Sequence, residues 1–145
     1  MNIKSFVENL ILPEYKTDTC GGFDIYLQQD VELTVGVNNV IPLRFATELP
    51  PNTVALLLPR SSIGIKGIGL RNTVGVIDSD YRGEWVANVT IDEQGDNAYG
   101  DKLNYKRGDR LFQCIILPFF RDTFSLVTDL SSTTRDSGKF GSTGL

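Results

Sequence analysis

Short β-branched or aromatic runs, each closed by Gly, Asn or Pro, follow one another through most of this chain, and that succession is its strongest constraint. Phe23 to Leu27, Val31 to Val37, Val40 to Phe45 and Val54 to Leu58 occupy the first half; Trp85 to Ile91, Leu111 to Leu117 and Phe124 to Val127 continue the series. Each run has the length of a strand, and the residues between them are those that turns require. The Leu111 run is apolar enough to predict burial on both faces. Helical signals are confined to two brief stretches, Ser5 to Leu10 and a turn beginning near Ser61-Ser62. The expectation is an all-β sandwich, jelly roll or barrel-like fold.

With 145 residues the chain is one domain's worth of sequence, long enough for a single core. Lys and Arg number 14 against 18 Asp and Glu, so broad neutralisation of a nucleic-acid backbone is disfavoured and no direct nucleic-acid binding is expected. Any anionic ligand must be held locally. The chain has no histidine, which removes Ser-His-Asp and Cys-His catalysis and every His-containing zinc site. Cys20 and Cys114 form no CxxC pair, so reduced thiols are expected rather than a disulfide or thiolate metal site. Met1 to Tyr15 is too charged for a signal peptide, and no run approaches a membrane span. The expected location is the cytoplasm, or a host's cytoplasm for a viral or phage source.

Asp92 to Lys106 is polar and alternately charged and reads as a solvated hairpin or loop. Ser131 to Leu145 contains ten Gly, Ser or Thr residues and little that could anchor to a core, so a domain over 1–130 and a flexible strap over 131–145 are expected. Three clusters could carry chemistry. Pro59-Arg60-Ser61-Ser62 offers a guanidinium and two hydroxyls to an anionic oxygen, or else a turn capped by serine. Gly75 to Gly83 holds Asp78, Asp80, Tyr81 and Arg82; in a chain without histidine a carboxylate is the leading general base, though a charged hairpin tip has the same look. Arg135 to Gly144 has the composition of a phosphate-binding loop with one aromatic, Phe140, but not the order of a Walker A motif.

As a set these segments resemble a known family. Gly21-Gly22-Phe23-Asp24-Ile25, Pro59 to Ser62, Gly75 to Gly83, Gly108-Asp109-Arg110-Leu111-Phe112-Gln113 and Arg135 to Gly144 are similar, in order, to the motifs of the trimeric dUTP diphosphatases (dUTPases). The resemblance implies a distorted jelly-roll-like β-barrel forming a homotrimer with C-terminal arm exchange, each site drawing on all three chains. It implies hydrolysis of dUTP to dUMP and pyrophosphate, limiting uracil incorporation into DNA and supplying dUMP for thymidylate synthesis. Asp78 would activate the water that attacks the α-phosphate, and Tyr81 would pack beneath the deoxyribose. Asn72 and the backbone of Gly75, Val76 and Ile77 would read uracil. Arg60, Ser61, Ser62 and Gln113 would bind the phosphate chain. Arg135, Gly141, Ser142 and Thr143 would close on the γ-phosphate, with Phe140 stacked on the base. Mg²⁺ would be held mainly by substrate phosphates, with Asp24 as a water-mediated contact.

Asp80 and Arg110 are expected to form a structural ion pair. Two departures from the family pattern stand out: Gly21 in place of an alanine, and Lys139 where a glycine usually sits beside the stacking Phe. Two rivals remain: a dCTP deaminase relative, and a regulatory binding protein built on the same scaffold that meets a protein partner through the Asp92 to Lys106 loop.

Overall fold

The computed structural model describes residues 1–92 and 100–138. Its strands are β1 (Asn2–Ser5), β2 (Gly22–Ile25), β3 (Val31–Thr34), β4 (Asn39–Pro42), β5 (Phe45–Glu48), β6 (Thr53–Pro59), β7 (Ile68–Leu70), β8 (Gly75–Asp78), β9 (Val86–Ile91), β10 (Lys102–Tyr105) and β11 (Phe112–Pro118). One helical turn, α1 (Ser61–Gly64), follows β6. Every pairing is antiparallel: a four-stranded sheet in the order β2-β11-β6-β8, a three-stranded sheet β4-β9-β7, and the pairs β1-β5 and β3-β10. The all-β jelly-roll-like expectation holds. No helix among the described residues is long and apolar enough to cross a membrane.

β6 and β11 form the spine, paired along their full length from Phe112 opposite Pro59 to Pro118 opposite Thr53. Their inward residues, Ala55, Leu57, Phe112 and Cys114, are buried in one core with Trp85, Phe45, Leu43 and Val89. The rings of Phe45 and Trp85 lie 5.2 Å apart in a tilted packing that adds to simple area burial. On β11 only alternate residues are buried, so the reading of two buried faces is not met within one chain. Burial pushes the Cys114 thiol up to about 12, whereas Cys20 is only partly buried and its thiol lies below its ordinary value because Thr17 Oγ1 sits 2.9 Å from it.

Several local expectations are corrected. The Val40 to Phe45 run is not one strand: Arg44 takes φ 65° and turns a corner between β4 and β5. That left-handed backbone is held by Glu84 Oε1, which accepts from the Arg44 amide at 3.1 Å, and by Gln29 Oε1, which accepts from its guanidinium at 2.9 Å. Ser5 to Leu10 is not helical, because Ser5 ends β1, its Oγ accepts from the Val7 amide, and Asn9 is left-handed at φ 57°. Phe124 to Val127 forms no strand. It has no strand partner among the described residues and leaves Phe120, Phe124 and Leu126 fully exposed on a segment that departs after β11. Asp92 to Lys106 is not wholly loop, since β10 pairs with β3 and buries Leu103; 93–99 lie outside the described residues.

Phe45→Ala should cost about 3–5 kcal/mol by urea denaturation, the range for emptying a buried aromatic site. At about pH 8 a thiol reagent should modify Cys20 and spare Cys114 in the folded protein, with both reacting after denaturation.

Candidate active site

Asp78 ends β8, a strand aligned on β6 with Gly75 opposite Leu57 and Asp78 opposite Val54. Gly75 lets the two strands pack closely there, since a Cβ would lie 3.0 Å from Leu57 Cβ. The Asp78 carboxylate is exposed and has no hydrogen-bond or ion-pair partner among the described residues. It lines an open cleft of about 480 Å³ with Ser79, Asp80, Phe119 and Arg121. A contiguous face is formed by Val76, Ile77, Tyr81 and Trp85, around a hollow of about 200 Å³ that Asp78 also borders.

The turn after β8 is locked by its own backbone. Arg82 Nη1 donates to the carbonyls of Ser79 at 2.7 Å and Tyr81 at 3.1 Å, and the Tyr81 hydroxyl donates to Glu84 O at 3.1 Å. The Tyr81 ring thereby folds over Gly83, where any Cβ would sit 2.3 Å from the hydroxyl oxygen. At the other end of β8, Val74 N donates to Asn72 O at 2.7 Å across Thr73, a β-branched residue at φ 66°. Exposed Asn72 and Asp78 therefore bracket β8, which spans about 10 Å.

A second constellation lies beyond the far end of β6. Arg60 is extended at φ −73°, ψ 150° and occupies the N-cap position of α1 with no side-chain cap, so neither Ser61 nor Ser62 is committed to capping. Both serines are exposed. Arg60 Nε lies 2.9 Å from Asp24 Oδ1, and Arg110 Nη1 lies 2.8 Å from Asp24 Oδ2. Gln113 Nε2 donates to Pro59 O at 3.2 Å. Arg60, Ser62, Tyr105, Gly108, Asp109 and Arg110 border a cleft of about 370 Å³. The Asp80–Arg110 pair is thus overturned: Arg110 is bound to Asp24, and Asp80 follows Asp78 at the opposite end of the sheet.

The structure brings Asn72, Gly75, Val76, Ile77, Asp78 and Tyr81 together, and separately Arg60, Ser62, Gln113, Asp24 and Arg110. It does not join the two groups. From Val54, opposite Asp78, to Arg60 the extended strand covers about 20 Å. Arg135 sits on the exposed C-terminal segment with Nε 3.4 Å from Gly138 O; Lys139, Phe140, Gly141, Ser142 and Thr143 lie outside the described residues. Arg121 borders the same cleft as Asp78 and is a candidate that sequence reading missed, since it belongs to no motif and is placed only by the course of the chain after β11.

Comparison with known proteins decides the family. The dUTPase family model matches residues 8–144. The chain belongs to the dUTPase family. A deoxyuridine 5'-triphosphate nucleotidohydrolase of Anaeromyxobacter sp. (strain Fw109-5) is 39% identical over 136 residues, covering 93% of this chain and 88% of the relative. One from Desulfitobacterium hafniense (strain DSM 10664 / DCB-2) is 41% identical over 138 residues, covering 92% and 87%. Among solved structures, a mutant dUTPase of Staphylococcus bacteriophage 80alpha with dUpNHpp superposes with a TM-score of 0.87 at 24% identity, over 99% of this chain and 98% of that one. The dUTPase of phage phi11 of S. aureus, described with a structural Mg(II) ion, gives a TM-score of 0.78 at 23% identity over 88% and 96%.

Magnesium can be tested against this dUTPase's own residues. Among the described residues no three His, Cys, Asp or Glu side chains converge. Asp24, the expected water-mediated contact, has each oxygen engaged by a guanidinium, and its side chain is 10% exposed. Two adjacent cations oppose the approach of a third. These residues do not fit a protein-held magnesium ion.

Arg110→Met should lower stability by about 3 kcal/mol, because it leaves the Asp24 carboxylate short of a partner, whereas Asp80→Asn should stay within about 0.5 kcal/mol of wild type. Thermal denaturation checks both. Gly83→Ala should force the Tyr81 ring aside and raise the KM for dUTP by about tenfold, read by steady-state kinetics.

Proposed function

We propose that copies of this chain assemble composite sites in which Asp78 acts as general base on dUTP. The chain is a dUTP diphosphatase: water adds to the α-phosphorus, the bond to the β-phosphate oxygen breaks, and dUMP and pyrophosphate leave. Asp78 takes the proton from that water as it attacks. The observation that carries this reading is the unpartnered Asp78 carboxylate at the end of β8, where a nucleoside lying along the strand would bring its 5′ end into reach.

Asn72 and the backbone of Gly75 to Ile77 read the uracil edge. Cytosine presents the opposite donors and acceptors there and would leave the site's polar groups unpaired. Tyr81, held by its hydroxyl bond to Glu84 O, forms the floor under the sugar and leaves no room for a 2′-hydroxyl. Arg60, Ser61, Ser62 and Gln113 hold the phosphate chain, but those of the same chain lie too far from Asp78 to serve the same substrate. A neighbour must supply them, and a homotrimer with exchanged C-terminal arms is the assembly in which it would do so. The fully exposed Phe120, Phe124 and Leu126 favour it too, since an apolar arm with nothing to cover it belongs against another copy. The strap over 131–145 then closes with Arg135 and Phe140, Gly141, Ser142 and Thr143 on the triphosphate.

Magnesium, on this reading, belongs to the substrate's phosphates, where it would neutralise charge, and no step requires a protein cage. The place of action is the cytoplasm, where the nucleotide pool lies, and the products limit uracil in DNA and feed thymidylate synthesis. The deaminase rival has no support from relatives named as dUTP nucleotidohydrolases. The regulatory rival rests on the Asp92 to Lys106 loop, whose β10 part pairs with β3 and whose residues 93–99 lie outside the described residues; solved dUTPases of phage 80alpha, described as controlling transfer of virulence genes, keep it as a second reading beside catalysis.

Pyrophosphate release from dUTP, dCTP, dTTP and UTP tests the reading. Release from dUTP alone is expected, falling about a thousandfold in Asp78→Asn while dUpNHpp still binds. Wild-type rates in that variant would remove Asp78 from the chemistry.

A further inference from the structure

We infer that Asp24 is the positioning residue of the phosphate site, holding Arg60 and Arg110 as one paired anion-binding fork. The inference rests on the reading of Arg60 as a phosphate ligand. A water-mediated magnesium contact for Asp24 is a separate role, and the titration below tells the two apart.

Three observations carry it. First, the two carboxylate oxygens are divided between two guanidinium groups, Oδ1 to Arg60 Nε at 2.9 Å and Oδ2 to Arg110 Nη1 at 2.8 Å. Two like charges brought to one carboxylate repel each other unless it stays ionised between them. Asp24 therefore sets the angle and separation of both forks.

Second, the backbone that carries the carboxylate is paired on both sides. Asp24 pairs with Gln113 across β2 and β11, and on its other side its amide donates to Glu14 O at 2.9 Å while its carbonyl accepts from the Glu14 amide at 3.1 Å. Its side chain is 10% exposed, against 28% for Arg60 and 36% for Arg110. The acid is thus the buried anchor and the guanidinium groups are its accessible ends.

Third, the anchoring leaves donors over. A guanidinium has five N–H donors. Arg110 Nη1 donates one bond to Asp24, Arg60 Nε is ion-paired with it at 2.9 Å, and Arg60 Nη1 donates to Arg110 O at 3.3 Å. The remaining donors belong to side chains that border one cleft with Ser62. Asp109, the acid in that cleft, is turned to its own backbone, accepting from the Lys106 amide at 2.7 Å. A polyphosphate, with oxygens spaced for two planar forks, is the ligand class this geometry takes; a monophosphate at Asp78 would not need it.

Calorimetric titration with dUpNHpp and with dUMP, each in EDTA and in Mg²⁺, tests the inference on wild type, Asp24→Asn and Arg110→Gln. In EDTA both variants should bind dUpNHpp about tenfold or more weakly than wild type, the loss of one charge-assisted contact. Binding of dUMP should not change, which also reports that the variant is folded. The gain in affinity on adding Mg²⁺ should match that of wild type. If Asp24→Asn binds dUpNHpp normally in EDTA and loses only the Mg²⁺ gain, Asp24 is a metal contact and the inference is overturned. Should Asp24→Asn fail to fold, Arg110→Gln decides. It keeps the Asp24 carboxylate, so unchanged binding in EDTA with a larger Mg²⁺ gain would overturn the inference in the same way. A wild type that binds dUpNHpp no more tightly than dUMP would instead overturn the phosphate reading of Arg60, and the inference with it.

Discussion

The antiparallel register of β6 with β8 and β11 governs what the rest of the molecule can do. β6 is a seven-residue strand buried along one face through Ala55 and Leu57, and it cannot shift by one residue without turning that face outward. With Val54 opposite Asp78 and Pro59 opposite Phe112, the register places the free carboxylate at one end and the Arg60 cluster beyond the other. The core thereby holds the two halves of the chemistry rigidly apart. A single chain carries the Asp78 face and the Arg60 face at opposite ends of β6, about 20 Å apart along the strand.

Preorganisation differs between the two faces. Around Asp78 the backbone supplies it: Arg82 ties together the carbonyls of the turn, Tyr81 is pinned over a residue that must be glycine, and Thr73 holds a left-handed turn next to Asn72. Around Arg60 a partly buried cluster of three charges supplies it, with Asp24 on a paired strand and Arg60 and Arg110 each on one of its oxygens. Removing the acid from such a cluster leaves like charges facing each other, which is why its effect should reach the ligand rather than stability alone.

Much of this was legible in the sequence, and the failures have physical causes. Val54 to Leu58 announced β6 as an unbroken apolar run after turn residues, and Trp85 to Ile91 announced β9 as a mainly apolar, β-branched run interrupted only by Asn88 and Thr90. The Val40 to Phe45 run misled because composition does not reveal that Arg44 turns left-handed, a conformation that Glu84 and Gln29 impose from outside the run. β1, β7 and β10 are short or polar, and only their partners β5, β9 and β3 make them strands. At the site, Asp78 and Tyr81 were readable from one motif, whereas the partner of Arg110 was not. Asp24 is 86 residues away in sequence, and only the β2–β11 pairing brings them together.

Mixing two inactive variants tests the separation of the two faces most directly. Asp78→Asn and Arg60→Ala chains, each without activity alone, are denatured together, refolded and assayed for pyrophosphate release from dUTP. Restored activity in the mixture is expected, because sites joining an intact Asp78 from one chain to an intact Arg60 from another can then form. Mixed oligomers with no activity above that of the separate variants would mean that both residues serve the substrate from the same chain, contrary to the register of β6 and β8.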